Sequence, residues 1–196
     1  FTITVNPTAH VDDPADQVVC NGSLTNAVNF STVNTGGTTT YNWTNNQSII
    51  GLAASGTGNI APFSAVNSGT APIVATITVT PTYTNGGVSC TGPAQTFTIT
   101  VNPSAQVNDP ADQVICNGSA SAAINFSSNN SGGTVVFSWT NDNTSIGLAA
   151  SGTGNIPSFT ATNPGTAPIT ANLTVTATDT NGGVTCTGPP QTFPLT

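Results

Sequence analysis

The chain of 196 residues carries seven Asp, no Glu, no Lys and no Arg, for a formal net charge of -7 at pH 7. Without a basic side chain it has nothing to hold nucleic-acid phosphates, so nucleic acid is not expected as a partner, and anionic membrane surfaces are disfavoured for the same reason. The 36 % hydrophobic content is enough for folded cores, and no apolar run is long enough to insert into a membrane.

Phe1-Thr-Ile-Thr-Val-Asn-Pro7 returns letter for letter as Phe97 to Pro103, and Cys20 and Cys90 return as Cys116 and Cys186. The shift is about 96 residues throughout, with roughly one aligned position in three substituted, which is a tandem duplication. One repeat is close to the usual domain size of ~100 to 150 residues and can enclose one core. This register divides the chain into the closing strand of a preceding repeat with its linker (1–8), a first repeat (9–104) and a second repeat (105–196). The final Phe193-Pro-Leu-Thr196 stands where a third Phe-Thr-Ile-Thr begins. The expectation is a window on a longer array whose last strand is truncated.

In chain order, Phe1, Ile3 and Val5 alternate with Thr2 and Thr4, the period of a half-buried strand. Val11-Asp-Asp-Pro-Ala-Asp16 follows as the densest acidic cluster, with Asp109 and Asp112 in its second copy. Its place just after the linker makes calcium a candidate at Asp12, Asp13, Asp16, Asp109 and Asp112. Asp12 becomes Asn108, however, and no calcium-loop spacing is met, so a turn with solvated carboxylates is the favoured reading and no cofactor is required.

Tyr41 and Trp43, and Val135, Phe137 and Trp139 in the second copy, mark the next alternating strand, with each Trp as a core plug. Ile50-Gly-Leu-Ala-Ala-Ser-Gly-Thr-Gly-Asn-Ile60 returns unchanged as Ile146 to Ile156. Its GxxxxG spacing is that of a phosphate loop, but Thr57 stands where such a loop needs Lys and no helix follows. A loop or hairpin fits better, with Gly56 and Gly58 expected to supply positive φ. Ala75 to Thr80 alternates again, and Asn85-Gly-Gly87 and Asn181-Gly-Gly183 read as hairpin turns. With β-branched strands and no sustained helical period, the chain reads as all-β, a sandwich of about seven short strands per repeat.

The cysteines fall one pair to a repeat, Cys20 with Cys90 and Cys116 with Cys186. An even count with this composition favours disulfides in an oxidising, extracellular setting over buried thiols. Bridges within the repeats would each add about 3 to 4.5 kcal/mol by constraining the unfolded chain. No CxxC occurs, and the single His10 has Gln106 as its counterpart, so a zinc site is not expected. Ser and Thr abound without a base to activate them, which argues against an enzyme.

Asp-Gln-Val-Val-Cys20-Asn-Gly, the Trp43-Thr-Asn strand, the glycine-rich stretch, and Cys90-Thr-Gly followed by Thr-Phe-Thr-Ile-Thr-Val-Asn-Pro resemble the PKD-like repeats of very large cell-surface proteins of Bacteroidota, of the gliding-adhesin type. The resemblance covers both repeats, although no Asp-Phe-Gly-Asp-Gly follows either Trp. It implies tandem immunoglobulin-like β-sandwiches in a linear array, exported to the bacterial cell surface. It also implies that Phe97 to Asn102 closes the first sandwich and Pro103-Ser104-Ala105 is the linker. The function so implied is a spacer or stalk that displays adhesive regions, with neighbouring repeats, identical subunits, surface glycans or abiotic surfaces as partners. An alternative is a filament polymerised by strand donation, with Phe1 to Asn6 filling the last-strand position of another subunit. A carbohydrate-binding module comes third, against which both Trp sit in apolar alternation.

Overall fold

A computed structural model describes all residues, Phe1–Thr196, in two compact units. One consists of Phe1–Ser68 and Pro72–Asn102, the other of Gly69–Ala71 and Pro103–Thr196.

In the first unit the strands are β1 (Gln17–Cys20), β2 (Thr38–Asn45), β3 (Ser55–Thr57), β4 (Ile73–Asn85), β5 (Val88–Thr91) and β6 (Gln95–Asn102). They form one sheet in the order β1-β6-β4-β2-β3, with β5 folded back onto β4. The spine is β4, in which Ala75, Ile77, Val79 and Tyr83 are buried while the intervening Thr76, Thr78, Thr80, Thr82 and Thr84 are only partly covered. This is the alternation that the period-two pattern requires of a strand with one face on a core. β6 pairs antiparallel with β4 and parallel with β1, and so closes the sheet.

The second unit repeats the scheme with β7 (Thr134–Asn141), β8 (Ser151–Thr153), β9 (Ala171–Asn181), β10 (Val184–Thr187) and β11 (Gln191–Leu195). The segment expected to be only the start of a strand builds β11, which pairs with β9 and buries Phe193 and Leu195. Pro194 stands where the first repeat has Thr98, whose N–H points away from the spine to Asp16 Oδ1 at 2.6 Å. The ladder to β9 therefore does not need the donor that proline lacks.

The layer opposite each sheet departs from the expected seven strands. Ser23 to Phe30 and Ile60 to Ala65 meet through the isolated bridges Leu24↔Ser64 and Val28↔Ile60. Side-chain bonds interrupt the ladder, as where Phe30 N–H donates to Asn59 Oδ1 at 2.9 Å and Phe63 N–H to Thr25 Oγ1 at 3.1 Å. Asn, Ser and Thr compete here with backbone carbonyls, so the layer is extended without forming long strands. Val28, Trp43, Ile50, Leu52, Ile60, Ile77, Val79, Phe97 and Ile99 form the core between the layers.

The glycine-rich stretch is a structural turn. Gly51 (φ 96°) ends a 3-10 turn, and Ser55-Gly-Thr57 pairs as β3 with β2. Gly58 has the expected positive φ of 69°, but Gly56 does not. Gly56 lies flat on the Trp43 indole, where an added Cβ would stand 2.2 Å from the ring, and Gly152 does the same at 2.3 Å from Trp139. Gly56→Ala is therefore expected to lower stability by about 1 to 3 kcal/mol by overpacking. A drop in urea midpoint with altered Trp43 fluorescence would show it, and an unchanged midpoint would contradict the contact.

Candidate functional site: the two ends of the sandwich

The path of the chain gives each unit an inlet and an outlet. At the inlet, Ala9 runs against Gly92 so closely that an added Cβ would stand 1.8 Å from the Ala9 carbonyl oxygen; Gly188 meets Ala105 in the same way at 1.7 Å. Only glycine admits this approach of backbone to backbone. Asn6 is fastened at the same end. Its Nδ2 donates to the Asn85 carbonyl at 2.9 Å, and Asn85 Nδ2 returns a bond to Asn6 Oδ1 at 3.1 Å. The hairpin that holds it is a tight turn with Gly86 at φ 58° and Gly87 at φ 79°, as the Asn-Gly-Gly signal requires.

The outlet of the first unit is the far end of β6. Asn21 N–H donates to the Asn102 carbonyl at 2.8 Å and Asn67 Nδ2 to the Val101 carbonyl at 2.7 Å. Both Val101 and Asn102 are buried.

The cysteines divide between these ends. Cys20 is opposite Asn102 at the outlet, next to the Val101↔Ile73 pair, whereas Cys90 is opposite Tyr83 at the inlet. Ile73 and Tyr83 lie roughly ten steps apart on one strand, or ~33 Å at ~3.3 Å per residue. In the second unit Cys186 is opposite Asp179 at the inlet, and Cys116 follows Ile115, whose N–H donates to the Thr196 carbonyl at the outlet. The span there, from Ala171 to Asp179, is roughly eight steps, or ~26 Å. A disulfide needs Cα atoms within ~7 Å.

The expected bridges Cys20–Cys90 and Cys116–Cys186 are therefore geometrically excluded. Cys90 and Cys116 are free thiols, while Cys20 and Cys186 are disulfide-bonded. Equal spacing in the two repeats suggested a pair per repeat but carried no information about which end of the sandwich each cysteine occupies.

Two further surfaces face these ends. The letters Phe-Thr-Ile-Thr-Val occur twice with opposite fates: Phe97, Ile99 and Val101 are 2 %, 0 % and 0 % exposed, whereas Phe1, Ile3 and Val5 are 115 %, 74 % and 86 % exposed. Phe1 to Asn6 pairs with no strand. At the outlet of the second unit is a cavity of about 420 Å3, lined among others by Val114, Ile115, Phe159, Ile169 and Leu195. Here Asn163, the counterpart of Asn67, donates instead to the Ala167 carbonyl at 2.9 Å, and Val114 is 88 % exposed.

The acidic segment does not converge on a metal. Asp12 Oδ2 accepts from Ser31 Oγ at 2.6 Å, and its Oδ1 lies 3.3 Å from His10 Nδ1. Asp16 accepts from Thr98 N–H, and Asp109 Oδ1 accepts from Gln191 Nε2 at 3.1 Å, while Asp13 and Asp112 are exposed. No three acidic, His or Cys side chains gather anywhere in the chain, and calcium wants six to eight oxygens. Trp43 and Trp139 are each buried in a core, which removes both as exposed sugar platforms.

Two carboxylates escaped the sequence reading. Asp142 accepts from Asn172 N–H at 2.7 Å and from its Nδ2 at 2.9 Å, which holds the carboxyl below its ordinary value of 3.8, the side-chain bond contributing most. A depressed folded value gives stability that is complete above the ordinary value and lost as pH falls through the folded one. Asp142→Asn, which restores the first-repeat residue Asn46, is expected to narrow the loss of urea midpoint between about pH 6 and pH 2.5. An unaltered acid loss would contradict this.

Asp179 occupies the position of Tyr83, whose hydroxyl donates to the Thr35 carbonyl at 2.8 Å. Asp179 is 1 % exposed, and neither carboxylate oxygen has a hydrogen-bond partner. A buried polar group left unpaired costs about 1 to 3 kcal/mol. Asp179→Tyr is expected to raise the urea midpoint by a comparable stability, and a lower midpoint would contradict the assignment.

No protein-family model matches the chain, and no curated protein matches it. Solved structures with a similar course are tandem immunoglobulin domains. A three-domain immunoglobulin fragment of titin, carrying Glu-to-Ala changes, has a TM-score of 0.48 at 8 % identity. That match covers 95 % of this chain and 64 % of the fragment, so the chain spans somewhat under two thirds of its length. The tandem immunoglobulin repeats of Dlar give a TM-score of 0.28 at 12 % identity, covering 96 % of this chain and 98 % of that one. The N-terminal two-domain module of the Drosophila receptor protein tyrosine phosphatase DLAR gives 0.31 at 11 %, with 97 % and 100 % covered. The chain is all-β, two β-sandwich units in tandem.

Proposed function

We propose that the chain is a structural repeat of an extracellular bacterial surface fibre or giant adhesin, a non-enzymatic spacer that extends and displays adhesive regions. The observation that carries this reading is the placement of inlet and outlet at opposite ends of each unit, as in a chain that threads its domains in line. A unit of this kind adds roughly 35 to 45 Å, taking strands of about ten residues plus loops. The disulfide-bonded cysteines fit export to an oxidising compartment. No helix is long and apolar enough to cross a membrane. The resemblance of both repeats to the PKD-like domains of Bacteroidota surface proteins supports a bacterial surface, adhesion and gliding as the setting. Many weak contacts along such an array would add by avidity.

A second reading is favoured by one observation, the bare Phe1, Ile3 and Val5. A filament of separate subunits would form if these residues closed the sheet of another copy, as the identical Phe97 to Asn102 closes its own. The two readings separate in native surface material viewed by cryo-electron microscopy, with its mass measured after reduction and denaturation. A very large polypeptide with beads every ~40 Å is expected for the stalk. Subunits near 19.5 kDa forming a continuous fibre would replace it with the strand-donation filament. Separate particles with no linear order would contradict both.

A further inference from the structure

We propose that the outward face of each sheet is an ice-binding surface, a grid of threonine and serine hydroxyls that anchors a water layer continuous with the crystal. The inference does not rest on the stalk reading; it gives each unit a ligand of its own.

The grid follows from strand register. In the second unit Ser151, Thr140 and Thr174 stand opposite one another on β8, β7 and β9, and Thr153, Ser138 and Thr176 form the next row. In the first unit Ser55, Thr44 and Thr78 make the same row on β3, β2 and β4, followed by Thr57, Asn42 and Thr80. Directly opposed residues share a face. The residues between them, such as Trp139 and Val175, are buried in the core, so the rows face solvent. Neighbours in a row are about 4.8 Å apart across the strands, and rows recur about every 6.7 Å along them. These two repeats are close to those of the water oxygens on a prism face of ice. Pairing across strands supplies the columns of hydroxyls that a sequence period of this length does not.

Three further observations commit the face to ice. First, the two rows of the second unit ring an open hollow of about 340 Å3, whose lining Gly152 and Trp139 complete. It has room and polar partners for a first layer of ordered water. Second, no outward position of β2, β3, β4, β7, β8 or β9 carries a charged or aromatic side chain. An uncharged grid of donors and acceptors complements an uncharged lattice, whereas charged groups would hold hydration shells of their own. A sugar would find no ring to stack on.

Third, the grid is stiff. Threonine is restricted at χ1. Hydroxyls are also tied across strands: Thr174 Oγ1 lies 3.1 Å from Thr192 Oγ1, and Thr84 Oγ1 lies 2.9 Å from Ser89 Oγ. The close seat of Gly152 on the Trp139 ring pins β8 to β7 from below. Groups already fixed lose little freedom on binding. Sheet twist rotates each strand by roughly 20 to 25° on the next, which limits each patch to the three strands named.

The test freezes part of a solution of the 196-residue chain mixed with serum albumin, as one slowly growing crystal, and compares the two proteins in ice and liquid. The wild type is expected to be enriched several-fold in the ice relative to albumin. The double variant Thr44→Tyr with Thr140→Tyr places a ring in the middle of each grid, and is expected to be excluded as albumin is, with its urea midpoint unchanged. Thr78→Tyr with Thr174→Tyr is expected to do the same from the neighbouring strand, so a folding defect in one pair leaves the other to decide. Val33→Tyr, at a position 71 % exposed and outside the strands, is expected to keep the enrichment. A wild type excluded like albumin, or a folded double variant enriched like the wild type, would overturn the proposal. Retention on crystalline cellulose without enrichment in ice would also overturn it and assign the face to polysaccharide. None of these outcomes alters the bead spacing and mass by which the stalk reading stands or falls.

Discussion

The pairing of Phe97–Asn102 with the spine strand β4 is the interaction on which the rest of the first unit depends. It buries Phe97, Ile99 and Val101, each contributing on the order of 1.5 to 3 kcal/mol against exposure. It also carries β1 on its other edge and ends the chain's passage at the outlet, so one strand sets core, sheet order and direction. In the second unit β11 pairs with β9 in the same way, and Leu195 takes the place of Ile99. The bare copy at Phe1 to Asn6 has the same letters without a spine beside it. An exposed apolar strand is a standing invitation to pairing, which a free-standing domain would be expected to blunt with charge. This chain has no lysine with which to do so.

The distribution of the cysteines follows from that geometry. A bridge across a domain would brace its own core, and these cysteines cannot supply one. Each core instead relies on packing: Trp43 over Gly56, Phe30 against Phe97 with centroids 6.4 Å apart, and Ile77, Val79 and Ile99 at no exposure. Few charges mean that salt should alter the cores little.

Much of this was legible in the letters, and the failures have physical causes. Alternation in Ala75 to Thr80 and around Trp43 found the spine and the core plug because burial on one face leaves a period of two. Asn85-Gly-Gly87 announced its turn because two consecutive positive φ values all but require those residues. The opposite layer was overcounted in strands because Thr25 and Asn59 take backbone bonds that a ladder would otherwise use. Gly56 was misread because its reason is the Trp43 ring, a contact invisible in spacing. The cysteine pairing failed for the deepest reason: periodicity fixes which residues are equivalent between repeats but not which end of a sheet they reach. Asp179 left no signal beyond its mismatch with Tyr83.

The central claim is that Phe1 to Asn6 is a closing strand belonging to the sheet of a neighbouring unit. Hydrogen exchange at the amides of Thr2 to Asn6 tests it most directly, with Thr98 to Asn102 as the internal reference, in the separate chain and in assembled native material. The account expects Thr2 to Asn6 to exchange without protection in the separate chain, and to approach the protection of Thr98 to Asn102 once assembled. Unprotected amides in the assembled material, or protected ones in the separate chain, would contradict it.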